Sequence, residues 1–111
     1  MSKFEILPTI DDDYVRCQMP DDSLMGDKIK PGKMLIFQRL DDAMIEQFKR
    51  VKQFNMFHIY AVRVNDDVIV RHLQVVDNYM ILMPSNELYK PLAVDPNVDN
   101  VKIIGVLMHV V

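Results

Sequence analysis

The clearest indication of the fold is the stretch FHIYAVRVNDDVIVRHL, from Phe57 to Leu73. Its first eight residues are rich in aromatic and β-branched side chains, and residues 68–73 continue this composition. The residues between them, Asn65-Asp66-Asp67, are typical of a tight turn. The stretch therefore predicts a β-hairpin with strands at 57–64 and 68–73.

Further strands are predicted on both sides of the hairpin. Apolar runs bounded by turn residues mark four of them, at Tyr14–Cys17, Lys33–Gln38, Asn78–Met83 and Val101–Val111. The run 33–38 is mostly apolar, which predicts burial on both faces. Gly105 predicts a bulge or a close backbone approach. Short strands with turns about every ten residues predict a mainly β domain, a small barrel or sandwich.

One short helix is predicted as an insertion in this β pattern, from Asp41 to Lys52. Asp41 or Asp42 is a suitable N-cap, because its carboxylate accepts hydrogen bonds from free backbone N–H groups. An apolar stripe follows, formed by Met44, Ile45, Phe48 and Val51. The stripe favours a helix that packs on a sheet, and a helix that binds a partner is the alternative.

Length and composition predict a single globular domain. The chain has 111 residues, of which 50% are hydrophobic and 26% are charged, as in ordinary folded proteins. Residues 1–13 are polar and acidic and are predicted to form an arm or the end of a linker, and residues 14–111 to form the domain. A net charge of −3 argues against nucleic-acid binding by this chain alone, because phosphate contacts need clustered Lys and Arg.

The same survey predicts a cytoplasmic chain without cofactor or metal. Cys17 is the one cysteine in the sequence, so a reducing compartment is expected. No signal peptide or membrane span is predicted, because no apolar run approaches the ~20 residues of a membrane helix. Three glycines do not supply a nucleotide-binding loop. No metal site is predicted, because the histidines are dispersed, at His58, His72 and His109.

A second stretch, MPDDSLMGDKIKPGKMLIF from Met19 to Phe37, raises the question of catalysis. Ser23 stands among aspartates in a predicted loop, where an ordinary loop serine is the simplest interpretation. A serine becomes a nucleophile only beside a base, such as a histidine or a lysine that has lost its proton. The aspartates of the chain cluster in predicted turns, where turn formation and helix capping explain them: Asp11–Asp13, Asp21–Asp22, Asp41–Asp42 and Asp66–Asp67.

Four segments, in this order, resemble the LexA, UmuD and phage-repressor family of self-cleaving domains: DDSLMGDKIKPGK, VIVRHL, NYMILMPSNELYKPLAV and VKIIGVLMHVV. In the same order, they are similar to that family's serine motif, to its second catalytic strand, to the segment that follows this strand and runs from a proline to a valine, and to its last strand. The resemblance covers Tyr14 to Val111. It implies a mainly β, signal-peptidase-like fold, a Ser/Lys catalytic dyad and homodimers.

The dyad that the resemblance implies is altered in this sequence. Ser23 falls on the position of the nucleophile, and Arg71 falls on the position of the lysine. Because arginine keeps its proton in proteins, it cannot serve as a general base at pH 7, and the dyad is predicted to be inactive. His72 is the alternative base if the hairpin register slips by one residue. Lys90 is predicted to face solvent.

Two further departures agree with a loss of activity. The resemblance implies cleavage at a bond between a small residue and glycine upstream of the serine, and residues 1–22 contain no glycine. The predicted helix at 41–52 lengthens the loop before the hairpin and is expected to cover a sheet edge or the former cleft.

The function predicted first is an inactive LexA-like domain, the dimerisation and regulatory module of a phage-type transcriptional repressor. The resemblance implies that a separate helix-turn-helix domain contacts DNA and that a RecA-type activator of the SOS response is a partner. The C-terminal strand supplies dimer contacts or is an ordinary core strand. Two alternatives stay open: a self-cleaving serine peptidase with Ser23 as nucleophile, and a non-catalytic module that binds a peptide by strand addition.

Overall fold

Eight β-strands make up most of what this computed structural model describes, namely residues 6–7, 13–40 and 58–111. The strands are β1 (Ile6–Leu7), β2 (Tyr14–Gln18), β3 (Met34–Arg39), β4 (Tyr60–Val64), β5 (Asp67–Val76), β6 (Tyr79–Met83), β7 (Leu92–Val94) and β8 (Val101–Val110). One 3₁₀ turn, Met25–Asp27, lies between β2 and β3. The helix predicted for Asp41–Lys52 lies outside the described residues.

All the strands pair antiparallel in the order β1-β2-β3-β8-β4-β5-β6-β7. The last strand therefore lies in the middle of the sheet, between β3 and β4. The prediction of a mainly β domain is confirmed. The strand pair β1–β2 also shows that residues 6–7, within the predicted arm, take part in the sheet.

The predicted hairpin is formed by β4 and β5. Val64 lies opposite Asp67, and Asn65 between them has a φ of 55°, the left-handed conformation that two-residue hairpin turns require. The register sets Arg71 opposite Tyr60 on β4. Because neighbouring residues of a strand point to opposite faces, Arg71 and the adjacent His72 leave β5 in opposite directions.

Two details of the strand prediction were wrong, and one strand was not predicted. β5 continues to Val76, beyond the predicted end at Leu73, because it also pairs with β6. β3 is not buried on both faces: Leu35 and Phe37 are fully buried, their neighbours are partly buried, and the last two residues are exposed. Residues 92–94, for which no strand is predicted above, form the edge strand β7.

Two apolar clusters form the core, and one of them anchors the loop that carries Ser23. The first cluster contains buried residues of β2 and β3 together with Leu24 and Ile29, which are 0% and 2% exposed. The second contains buried residues of β4, β5, β6 and β8. Burial of one such aliphatic side chain stabilises a fold by about 2 kcal/mol. The segment just after Ser23 is thus fixed by packing.

Gly105 lies where the backbones of β8 and β3 approach closely. A Cβ atom at this position would lie 2.4 Å from the carbonyl oxygen of Gln38, which is inside van der Waals contact. The close approach predicted for Gly105 is confirmed, and only glycine fits there without a shift of the backbone.

Candidate functional site

Ser23 lies at the centre of the candidate site, in a loop of well-defined geometry. Its backbone N–H donates to Oδ1 of Asp21 at 2.9 Å. The loop then turns through Met25–Asp27, with N–H of Met25 donating to the carbonyl of Asp22 at 3.1 Å. An aspartate side chain that accepts from the N–H two residues later is a common turn-forming device. We call residues 21–28 the serine loop.

The hydroxyl group of Ser23 is buried and has no hydrogen-bond partner within the described residues. The whole residue is 0% exposed. A buried polar group left without a partner costs about 1–3 kcal/mol, and such groups are rare in folded proteins. The sequence motif therefore corresponds to an unusual position, and not to a solvated loop serine.

A second segment, residues 85–90, packs against the serine loop and fixes Ser23 from the other side. The carbonyl oxygen of Ser23 accepts two hydrogen bonds, from N–H of Ser85 at 2.8 Å and from N–H of Asn86 at 2.7 Å. The side chain of Asn86, 5% exposed, donates to the carbonyl of Asp22 at 3.2 Å and accepts from N–H of Leu88 at 3.0 Å.

Arg71 holds the far end of the same segment. Its Nη1 donates to the carbonyl oxygen of Lys90 at 3.3 Å, and its guanidinium carbon lies 5.8 Å from the centre of the Tyr89 ring. A cation over an aromatic face is attracted by the ring quadrupole. Its Nε is buried and, like the Ser23 hydroxyl, has no hydrogen-bond partner in the part of the chain described.

Tyr89 connects Arg71 to the serine loop. Its hydroxyl donates to Oδ1 of Asp22, the residue before Ser23. This hydrogen bond raises the pKa of Tyr89 above its ordinary value, and partial burial and the negative charge of Asp22 act in the same direction. The contacts run from Arg71 through the Tyr89 ring to Asp22 and so to Ser23.

His72, on the opposite face of β5, belongs to another cluster. Its Nε2 lies 2.9 Å from Oδ2 of Asp27 and 3.0 Å from Oγ of Ser85. Its Nδ1 lies 3.0 Å from the carbonyl oxygen of His58. Oγ of Ser85 donates to Oδ2 of Asp27 at 2.5 Å. These contacts engage both ring nitrogens with groups other than Ser23.

The sequence-predicted residues are thus placed around one feature, residues 85–90. Ser23 and Arg71 both contact it, and His72 contacts its first residue, Ser85. The side chain of Lys90 is exposed, as predicted, while its carbonyl binds Arg71. No set of three histidine, cysteine or acidic side chains within residues 13–40 and 58–111 is placed to bind a metal ion.

Four residues of the site were not among the residues predicted for it from sequence: Asp22, Asp27, Asn86 and Tyr89. The stretch PSNELYKP, from Pro84 to Pro91, lies in a segment that carries the family resemblance, and the placement of Asn86 and Tyr89 in it was the usable signal. Their partners lie more than sixty residues away in sequence. The pairing therefore depends on the folded sheet and could not be read from local pattern.

Comparison with protein families identifies the family to which this chain belongs. The model of the family described as Peptidase S24-like matches residues 5–108. The chain belongs to this Peptidase S24-like family, and the predicted relation to LexA- and UmuD-type domains is confirmed. A comparison with curated proteins found no match. Among the described residues, no helix is long and apolar enough to cross a membrane.

Proposed function

We propose that this chain is a catalytically inactive Peptidase S24-like domain that serves as the dimerisation and regulatory module of a phage-type transcriptional repressor. The observation that carries the proposal is the position of Arg71. It stands where the resemblance implies a lysine base, and it uses its guanidinium group to donate to the carbonyl of Lys90 and to stack on Tyr89.

The chemistry of arginine explains the proposed loss of activity. A general base must offer a lone pair to the serine proton, and guanidinium has five N–H donors and no acceptor at accessible pH. Its planar, always-charged group is suited to holding a carbonyl and an aromatic ring. Arg71 thus acts as a structural donor that fastens residues 85–90 beside Ser23.

Cleavage of a peptide in trans tests this proposal. The purified chain is incubated at pH 7 and pH 10 with a peptide that contains an Ala-Gly bond, and the products are followed by mass spectrometry. We expect no cleavage by the native chain and measurable cleavage at pH 10 by Arg71→Lys, because an amine that has lost its proton can accept the proton of Ser23.

Two further variants make the result decisive. Arg71→Lys combined with Ser23→Ala must be inactive if Ser23 is the nucleophile of the restored dyad. Cleavage by the native chain that disappears in Ser23→Ala would overturn the proposal. His72→Gln would then show whether His72 supplies the base, as the alternative sequence interpretation requires.

One observation favours the second candidate function, an active self-cleaving serine peptidase. The Ser23 hydroxyl is buried and lacks a partner within the described residues, as expected of a nucleophile that awaits its base and substrate. The cleavage experiment distinguishes this function from the first. If the domain is inactive, only Arg71→Lys will cleave the peptide. If the domain is an active peptidase, the native chain will cleave it.

The proposed partners follow from the same assignment. A second copy of the chain is the first partner, and exposed apolar residues at the end of β8 support it: Met108, Val110 and Val111. DNA contacts would come from a separate helix-turn-helix domain, and a RecA-type activator is a partner only if cleavage occurs. A reducing cytoplasm suits the buried free thiol of Cys17.

A further inference from the structure

The protonation state of His72 follows from the hydrogen-bond donors and acceptors that surround its ring, in the cluster with Asp27 and Ser85. A backbone carbonyl only accepts hydrogen bonds, so the contact with His58 requires that Nδ1 of His72 carries hydrogen. In a neutral ring the lone pair of Nε2 would then face the carboxylate of Asp27 at 2.9 Å. Two acceptors at that distance repel each other, and the one hydroxyl proton of Ser85 already points to Asp27.

All four contacts are satisfied together when Nε2 carries a proton as well. We infer that His72 is doubly protonated in the folded domain and that its ion pair with Asp27, supported by Ser85, is a proton-dependent clasp on the serine loop. Nε2–H then donates to Asp27, Nδ1–H donates to His58, and the Ser85 hydroxyl donates to the same carboxylate. The inference does not depend on whether Ser23 is catalytic.

Two other interpretations of the cluster are less consistent with its geometry. Ser85, His72 and Asp27 are the residue types of a hydrolase triad, but a histidine whose Nε2 carries a proton cannot accept one from Ser85. A metal ion would also separate Nε2 from the carboxylate. Within the described ranges only one histidine and one carboxylate converge there, which is fewer than the three strong ligands of a typical site.

The clasp closes the serine loop at its C-terminal end. Asp27 ends the 3₁₀ turn that follows Ser23, and His72 belongs to β5, which the core holds in place. The other end of the loop is held by Asp22 through Tyr89 and Arg71. Adjacent residues of one strand, on opposite faces, thus fix the two ends of the loop.

The direction of the pH dependence follows from the groups around the ring. Within residues 13–40 and 58–111, the charged side chain in contact with the ring is that of Asp27, in the serine loop. Segment 85–90 contributes the Ser85 hydroxyl, the chain before β4 contributes the His58 carbonyl, and β6 sets the uncharged Met83 opposite. On β5 itself, Arg71 points to the other face. As the pH rises and Nε2 loses its proton, attraction between His72 and Asp27 turns into repulsion and the clasp opens.

Amide hydrogen exchange of the serine loop, measured across pH and corrected for intrinsic rates, tests the clasp. The amides of Met25, Asp27 and Lys28 are hydrogen-bonded inside the loop. We expect their protection to fall by about tenfold or more as the ring loses its proton, the factor that corresponds to losing one charged hydrogen bond. Protection of the Leu107 amide, in β8, must stay constant over the same range.

Two variants separate charge from shape. His72→Gln removes the charge and is expected to show low loop protection at every pH. His72→Arg keeps a cation that can reach Asp27 and is expected to show protection without pH dependence. Equal pH dependence in the native chain and in both variants would overturn the inference.

Nitrogen-15 NMR of the native ring gives a readout that does not depend on any variant. At a pH where the loop is protected, both nitrogens of His72 must show the shifts of protonated nitrogen. A singly protonated ring in the protected state would refute the inference. Loss of protection on addition of EDTA would refute it too, because the cation between the two groups would then be a metal.

Discussion

At the scale of single residues, the buried thiol of Cys17 has a reactivity that can be tested. The residue is 0% exposed, and burial raises its pKa to about 12 from 9.0. Since only thiolate reacts readily, we expect the native thiol to resist a disulfide reagent at pH 8 and to react once urea unfolds the chain. Rapid reaction of the native chain would contradict the position of Cys17 in the core.

The raised pKa also fixes the sign of a stability effect. Cys17 is protonated in the folded chain at pH values where the unfolded chain ionises, so its contribution is complete below pH 9.0 and is lost as the pH rises toward about 12. We therefore expect the difference in the free energy of unfolding between the native chain and Cys17→Ala, measured by urea unfolding, to become smaller above pH 9. Parallel pH curves for the two proteins would rule this out.

Gly105 provides a steric prediction. Gly105→Ala forces a Cβ atom into the carbonyl of Gln38, and overpacking of this kind costs about 3 kcal/mol or more. Gly26→Ala is the matched control, because its Cβ would lie 3.4 Å from that of Ser85, an ordinary contact. Thermal unfolding should show a large loss for the first variant and little change for the second. Similar values for the two would contradict the close approach of β8 and β3.

At the scale of elements, Asn86 is the residue that joins segment 85–90 to the serine loop. Asn86→Ala removes the bond to the Asp22 carbonyl and leaves the Leu88 amide without its acceptor, which we expect to cost about 2 kcal/mol. Glu87→Ala, at the exposed neighbouring position, is the control and should change the free energy of unfolding by less than about 0.5 kcal/mol. If both variants behaved alike, Asn86 would not be the joint between the two segments.

Tyr89 provides a test of the contacts that connect Arg71 to Ser23. Tyr89→Phe keeps the ring under Arg71 and removes the hydroxyl that donates to Asp22, so we expect lower stability and lower protection of the serine loop. Because the pKa of Tyr89 is raised, this difference should be present below pH 10.0 and disappear at higher pH. Tyr79→Phe, an exposed tyrosine on β6, is the control that should show neither change.

At the scale of the whole molecule, self-association is the property to measure. We expect a dimer at tens of micromolar in sedimentation, since apolar residues at the end of β8 are exposed and such patches mark interaction sites. Val110→Lys should shift the chain to monomer while its far-ultraviolet circular dichroism stays that of the folded β domain, and its unfolding temperature should fall because dimerisation no longer stabilises the fold. Leu88→Lys, at a position that is 87% exposed, is the control. A strictly monomeric native chain would contradict the proposed partner.

The mainly β class and most strands could be predicted from sequence, because apolar runs bounded by turn residues are local signals. The pairing of β8 between β3 and β4 could not, since strand order depends on contacts between distant segments. For the same reason, most contacts of the candidate site could not be predicted from sequence. Ser23 and Arg71 were identified by motif, whereas the clasp of Asp27 and His72 joins residues 45 positions apart. The burial of the Ser23 hydroxyl without a hydrogen-bond partner among the described residues results from packing, and the sequence does not show it.

The central position of β8 has a consequence for synthesis of the chain on the ribosome. In the folded order β8 alone lies between β1–β3 and β4–β7, so before residues 101–110 have been translated the edges of β3 and β4 lack the strand that joins them. Open edges of this kind favour pairing with other chains. The complete sheet can therefore form only after β8 has been translated, and we expect a chain that stops before Val101 to aggregate more readily than the full chain.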